Sequence, residues 1–163
     1  MIKCGSELDI VFNLFNSPFC GRIIYYAVSS YQAHNGKLFP FPLVYFILPI
    51  ALDKKLRNSM KPRQSFLNWV TENRLELNDF ARLVEAYIKP THEAIEFLLY
   101  TQDLILNDCG ELRVNEEHKK LTENSHNDDD EIKECIKKAK LLAKWLAKMN
   151  NVESVYFTLG VRP

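Results

Sequence analysis

The chain has 163 residues and a mass of 19.0 kDa; 47% of the residues are hydrophobic, and 21 basic side chains balance 21 acidic ones. That length suits one domain over residues 1–163, able to bury roughly two-thirds of its unfolded surface. A formal net charge of zero excludes a global field that would steer the whole chain to nucleic acid or an anionic membrane.

Met1–Glu7 lacks a sustained apolar run, so no signal peptide is expected. Cys4, Cys20, Cys109 and Cys135 are widely spaced without a Cys-x-x-Cys pair, and read as reduced thiols of a cytoplasmic protein. Leu8 to Phe15 is rich in apolar residues and is predicted to be buried whatever its conformation. Asn16-Ser17-Pro18 is a helix start, a capping side chain followed by proline in the first turn. The helix is predicted over Pro18–Gln32, and with Arg22 as its one charge it should be enclosed by protein. Gly36 and Phe39-Pro40-Phe41-Pro42 form a stiff connection. Pro42–Leu52, eleven uncharged residues, falls short of the ~20 a spanning helix requires. It reads as a core helix with Pro49 as its candidate kink, and no membrane partner is expected.

Asp53 to Arg63 is a polar junction carrying Lys54, Lys55, Arg57, Lys61 and Arg63. Ser65 to Asn73 predicts a short helix presenting Phe66, Trp69 and Val70. Asn78 is a candidate cap for a helix over Asp79–Ile88, with Phe80, Ala81, Leu83, Val84, Tyr87 and Ile88 inward. Pro90 should push Lys89 out of helical geometry and force a break. A second helix then starts at Pro90, capped by Thr91, with Ala94, Ile95, Phe97, Leu98 and Leu99 on its apolar face. Leu104–Leu106, the turn Asn107-Asp108-Cys109-Gly110, and Leu112 with Val114 predict a hairpin. Helix, break, helix and hairpin make a winged helix-turn-helix core at about residues 42–115. Between Lys89 and Arg113 there is no lysine or arginine, while Glu93, Glu96, Asp103, Asp108 and Glu111 are acidic. A helix that reads a major groove needs cations or amides outward, so this unit is expected to serve packing or protein contact.

Residues 116–130 are hydrophilic and are expected to form a mobile acidic loop. The long helix after it, about Asp129 to Met149, starts acidic and ends in lysines, as its dipole prefers. Ile132, Cys135, Ile136, Ala139, Leu142, Ala143, Leu146 and Met149 share an apolar arc; Lys133, Lys137, Lys140, Lys144 and Lys148 form a stripe opposite. Val152–Leu159 is rich in β-branched and aromatic residues and predicts a strand, so residues 131–163 read as helix plus strand. The expected class is mainly α with a small β component.

No reaction chemistry is apparent. The five glycines, Gly5, Gly21, Gly36, Gly110 and Gly160, are scattered, so no phosphate cradle forms. His34, His92, His118 and His126 are dispersed and no cysteine pair accompanies them, which argues against zinc. Cys20 lies near a helix start but among Phe19, Ile23 and Ile24, which suits a buried thiol better than a nucleophile. Neither enzyme activity, cofactor nor metal is expected. The Lys54–Arg63 junction and the Lys133–Lys148 stripe remain as candidate contacts for nucleic acid or an acidic partner.

Several segments in order resemble one family. They are Asn16-Ser17-Pro18-Phe19-Cys20-Gly21 with Tyr25 and Tyr31; Pro42-Leu43-Val44-Tyr45-Phe46-Ile47-Leu48-Pro49; and Lys61-Pro62-Arg63-Gln64-Ser65 with Trp69. Pro90-Thr91-His92-Glu93-Ala94, the Lys138–Ala147 helix and Leu159-Gly160-Val161-Arg162-Pro163 follow. Together they are similar to the middle component of three-component ABC-ATPase conflict systems, the class that includes Lamassu-type anti-phage and anti-plasmid systems. The sequence departs from the family pattern at His92, where Arg is frequent, and at Lys54-Lys55. The resemblance implies a non-catalytic adaptor subunit. It would bridge an SMC-like (Rad50-like) ABC ATPase that senses foreign or broken DNA to an effector, often a nuclease, that it helps restrain or release. DNA would then be met only within the complex, and Gly160, Val161, Arg162 and Pro163 are the candidate partner contact. The rival reading is a winged-helix DNA-binding transcriptional regulator.

Overall fold

Asn16 starts the first helix as expected: its side chain accepts from the Phe19 N–H at 3.2 Å, and Pro18 occupies the first turn. The computed structural model describes residues 16–118 and 130–163. Cys4, His126, Asp129 and the apolar run Leu8–Phe15 lie outside the described residues. Helix α1 runs over Ser17–Asn35, longer than predicted, and Gly36 ends it in the left-handed region at φ 67°, where the absence of a Cβ removes the usual penalty. Ile23, Ile24, Ala27 and Val28 are fully buried, as the near absence of charge demanded. α1 packs against α5 (Phe80–Tyr100) and α6 (Asp130–Leu146). Gly21 permits the closest approach, since a Cβ there would meet Phe97 at 3.3 Å and Leu98 at 3.4 Å.

The stiff connection contains a strand that periodicity could not reveal. β1 (Phe39–Pro40) pairs antiparallel with β3 (Glu111–Val114), which also pairs with β2 (Leu104–Leu106), giving the order β1-β3-β2. Phe39 and Leu106 both register with Leu112. The hairpin of β2 and β3 matches its prediction. Beyond the end of β1, the Gln32 side chain accepts the Val114 N–H at 2.8 Å and continues the pairing from α1.

The apolar segment after β1 changes helix type rather than kinking at Pro49. Phe41–Phe46 is a 3-10 turn that passes into α2 (Ile47–Leu52), every residue of which is buried. Pro49 falls in the first turn of α2, where backbone N–H groups have no helical partner to lose. The polar junction holds a further helix, α3 (Lys54–Ser59), capped by the Asp53 side chain on the Leu56 N–H at 2.9 Å. Ser65 caps α4 (Phe66–Glu72), which buries Phe66 and Trp69 as anticipated.

Two expectations fail in instructive ways. Pro90 breaks nothing: α5 is continuous over 21 residues with Pro90 inside it, and Thr91 is buried in mid-helix instead of capping. Proline removes one N–H from the ladder, and the packing of Val84, Tyr87, Ala94, Ile95 and Leu98 outweighs that loss. Asp79, not Asn78, precedes the helix and makes no side-chain cap, while Ala81 and Ile88 face outward. The second failure is Val152–Leu159, which is helix α7 and not a strand. The Asn151 side chain accepts from the Ser154 N–H at 2.8 Å, and Val155, Tyr156 and Leu159 bury one face. Gly160 at φ 68° and the Val161 N–H on the Tyr156 carbonyl close it. Caps at both ends and a helical burial period override β-propensity. The small sheet therefore has no fourth strand from this segment.

One buried cation ties these pieces together. Arg57 on α3 is 2% exposed; its guanidinium donates to the Ala51 and Leu52 carbonyls at 3.2 Å and to Glu131 of α6 at 2.8 Å. Arg57→Ala should cost about 3 kcal/mol, because it orphans two helix-end carbonyls and a half-exposed carboxylate. At about 2–4 °C per kcal/mol this lowers Tm by about 6–12 °C in a thermal melt; a change within the ±0.5 kcal/mol typical of surface positions would deny the residue this role. Pro90→Ala should instead stabilise the chain by about 1–3 kcal/mol by restoring an N–H donor to the Ala86 carbonyl. A loss of stability in urea unfolding would show that the packing of α5 requires the proline.

Candidate functional site

The side chains that could do chemistry are kept apart. Cys20 is fully buried, and burial, with the Glu93 carboxylate as the lesser cause, pushes its thiol up to about 12. At neutral pH it is a protonated thiol, the opposite of an activated nucleophile. Cys135 is buried and Cys109 is exposed in the hairpin turn; none of the three is in a disulfide. Among the described residues no three His, Cys, Asp or Glu side chains are grouped to hold a metal ion, and no helix is long and apolar enough to cross a membrane.

One polar pair escaped the sequence reading. Tyr45, from the 3-10 turn, places its hydroxyl 2.8 Å from His92 Nε2 in the middle of α5, with the rings edge-on at 5.6 Å. Burial raises the Tyr45 hydroxyl above its ordinary value, so it stays protonated. Because His92 sits at the helix position opposite Tyr45, the pair joins α5 to the apolar segment. No spacing rule would have linked two residues that lie 47 apart in the chain.

The surface of α5 carries both signs in its first half and only acids in its second. Arg82, Glu85 and Lys89 are exposed, Lys89 lies 3.9 Å from Glu93, and Glu96 is exposed one turn further on. From Pro90 to Tyr100 no cation faces solvent.

The two basic segments fare differently from expectation. Arg57 is not a surface contact at all: it is internal, held by helix-end carbonyls and Glu131. Lys54, Lys55, Lys61 and Arg63 are exposed, with Lys61 3.8 Å from Glu72. On α6, Lys133 lies 4.0 Å from Asp130 and Lys137 3.8 Å from Glu134. Lys140 sits 5.0 Å above the Tyr26 ring, and Lys144 and Lys148 are exposed. Lys138, absent from the stripe, is buried; its amine donates to the Met60 carbonyl and lies 3.6 Å from Glu134. The signal was present, since Cys135 and Leu142, three and four residues away, share its apolar face.

The proposed partner segment is a helix ending. Gly160 and Val161 complete the cap of α7, Val161 packs against the core, and Arg162 and Pro163 are exposed.

A family model described as ABC-three component (ABC-3C) system Middle Component 3 matches residues 6–163. No curated protein and no solved structure gives a match. The match covers nearly the whole chain and contains every surface just described. The chain belongs to the ABC-three component system Middle Component 3 family, and its partners are the other components of such a system.

Proposed function

We propose that this chain is a non-catalytic adaptor that joins an SMC-like ABC ATPase to the effector of a Lamassu-like defence system, an effector expected to be a nuclease. The observation that carries this reading is the family match over residues 6–163, on a chain whose described residues group no phosphate cradle, metal ligands or activated nucleophile. We further infer a winged-helix unit that starts earlier than the expected residue 42 and comprises α1, β1, α2, α5, β2 and β3. The sheet order β1-β3-β2, with the first strand between the first two helices and the hairpin after α5, supports it. In that unit α5 would stand where a regulator reads DNA. Its second half offers phosphates no cation, which favours the adaptor over the transcriptional regulator.

Co-expression with the neighbouring ATPase and effector genes tests the adaptor directly. All three should purify as one assembly, and an assembly that forms equally well without this chain would refute the role. Within it, Glu93→Lys with Glu96→Lys should leave DNA affinity unchanged or raise it; a sharp loss of sequence-specific binding would favour the regulator. The purified chain alone should turn over neither ATP nor DNA and carry no stoichiometric metal. Turnover that a single substitution abolishes would mark it as an enzyme after all.

Arg162 and Pro163 are the exposed remainder of the proposed partner contact, and an arginine fork suits a carboxylate. Removing residues 162 and 163 spares the cap of α7, so the protein should melt normally yet co-purify less ATPase. Undiminished co-purification would leave the segment a helix ending and nothing more.

A further inference from the structure

The two basic segments, read separately in the sequence, meet on one surface. Pro62 from the junction and Lys137, Lys138, Lys140, Leu141 and Lys144 from α6 line a single groove of about 210 Å³. Lys138 welds its walls, donating from α6 to the Met60 carbonyl two residues before Pro62. Lys61 and Arg63 flank Pro62 in the chain and are exposed. Along α6, Lys133, Lys137, Lys140 and Lys144 recur every three or four residues, and Lys148 follows two residues beyond its end. Those steps are about 4.5–6 Å along the axis and extend the helical array, Lys133 to Lys144, over about 16 Å.

The acids that face this surface are few. Asp130 approaches Lys133, Glu134 approaches Lys137 and Lys138, and Glu72 approaches Lys61, the closest contact being 3.6 Å. Lys144, Lys148 and Arg63 have no acidic partner among the described residues, and Lys140 rests on an aromatic face. The pairs of Lys61, Lys133 and Lys137 are exposed and weak, so a stronger anion can exchange for them at little cost, whereas buried Lys138 stays in place.

We propose that this groove, walled by the α6 lysines and joined by the exposed Lys61 and Arg63 beside Pro62, binds the phosphate backbone of duplex DNA without reading its sequence. Lysine ammoniums are compact point charges suited to phosphates, whereas carboxylate recognition favours the arginine fork, which α6 lacks. The array extends over about five base pairs of rise at about 3.4 Å each. Its floor, Leu141, Pro62 and lysine stems, offers no amide that could address base edges. The inference stands apart from the adaptor reading, because the grip comes from α6 and not from the helix that precedes the hairpin.

Fluorescence anisotropy of the full chain with two labelled duplexes of unrelated sequence, across a salt series, tests it. Both duplexes should bind equally, and log affinity should fall with log salt by about 0.9 for each phosphate neutralised. Arg63→Glu/Lys137→Glu/Lys144→Glu should weaken binding at low salt by about tenfold or more and make the salt slope shallower by about 2 to 3. The neutral Arg63→Gln/Lys137→Gln/Lys144→Gln variant should show the same shallower slope, and it carries the test if charge reversal disturbs folding. Glu93→Lys/Glu96→Lys should retain a sequence-independent affinity at least equal to that of the parent. The proposal falls if the parent chain does not bind at the lowest salt, or if the neutral variant keeps the parent slope. It falls equally if one sequence is preferred, or if polyglutamate displaces the duplex as well as unlabelled DNA does, which would make the ligand an acidic protein.

Discussion

The arrangement of this chain depends on a buried arginine. Helix α2 ends inside the protein with its last carbonyls unpartnered, a situation that costs a few kcal/mol in an apolar interior. Arg57, one short helix later, turns back and donates to the Ala51 and Leu52 carbonyls, and its remaining charge meets Glu131 at the start of α6. A guanidinium suits this task because its fork serves several acceptors from one planar group. Three residues on, the Met60 carbonyl receives the Lys138 amine from the next part of α6. Two cations thus bind segment 51–60 to α6, and they set which face of α6 is inside. The outward stripe of lysines follows from that choice.

The same logic makes α5 continuous. A proline in mid-helix would normally invite a break, but α5 is held at both sides of Pro90: by Tyr87 and Val84 before it, and by Ala94, Ile95 and Leu98 after it. Gly21 lets α1 come close enough for Phe97 and Leu98 to touch its backbone. The Tyr45–His92 hydrogen bond fastens the apolar segment to the helix at the turn after the proline. A local rule was overruled because packing on several sides over-determined the helix.

Much of the fold was legible in the sequence. The side-chain cap at Asn16, the uncharged α1, the Trp69 helix, the hairpin and the amphipathic α6 follow from composition, spacing and turn chemistry. What stayed hidden depended on contacts distant in the chain. β1 is two residues long and exists because β3 lies beside it. α7 looked like a strand because Val152, Val155, Tyr156, Phe157 and Thr158 favour pleated surfaces; Asn151 and Gly160, which punctuate it, were the countersignal. Arg57 counted among surface cations because nothing in the sequence tells a solvated arginine from one that caps a helix 74 residues from its ion partner. Of the surfaces considered for function, the acidic half of α5 was visible directly, whereas the union of the Pro62 segment with α6 was not.

Net charge conceals a partition that bears on how a middle component works. The totals cancel at 21 against 21, yet residues 90–112 hold no lysine or arginine, while Lys133–Lys148 contains six lysines and one glutamate. Glu93 and Glu96 of the first stretch and the lysines of α6 lie on helices packed against α1. A surface of one sign speeds encounter with its complement and repels its like, which orders partners around a subunit without adding large affinity. Because exposed charges are screened beyond about 8–10 Å at physiological salt, each face acts locally and the two do not cancel one another at a partner's distance. Under the proposed adaptor role, a neutral chain built this way would offer α6 to an anion and the acidic half of α5 to a cationic protein surface at the same time.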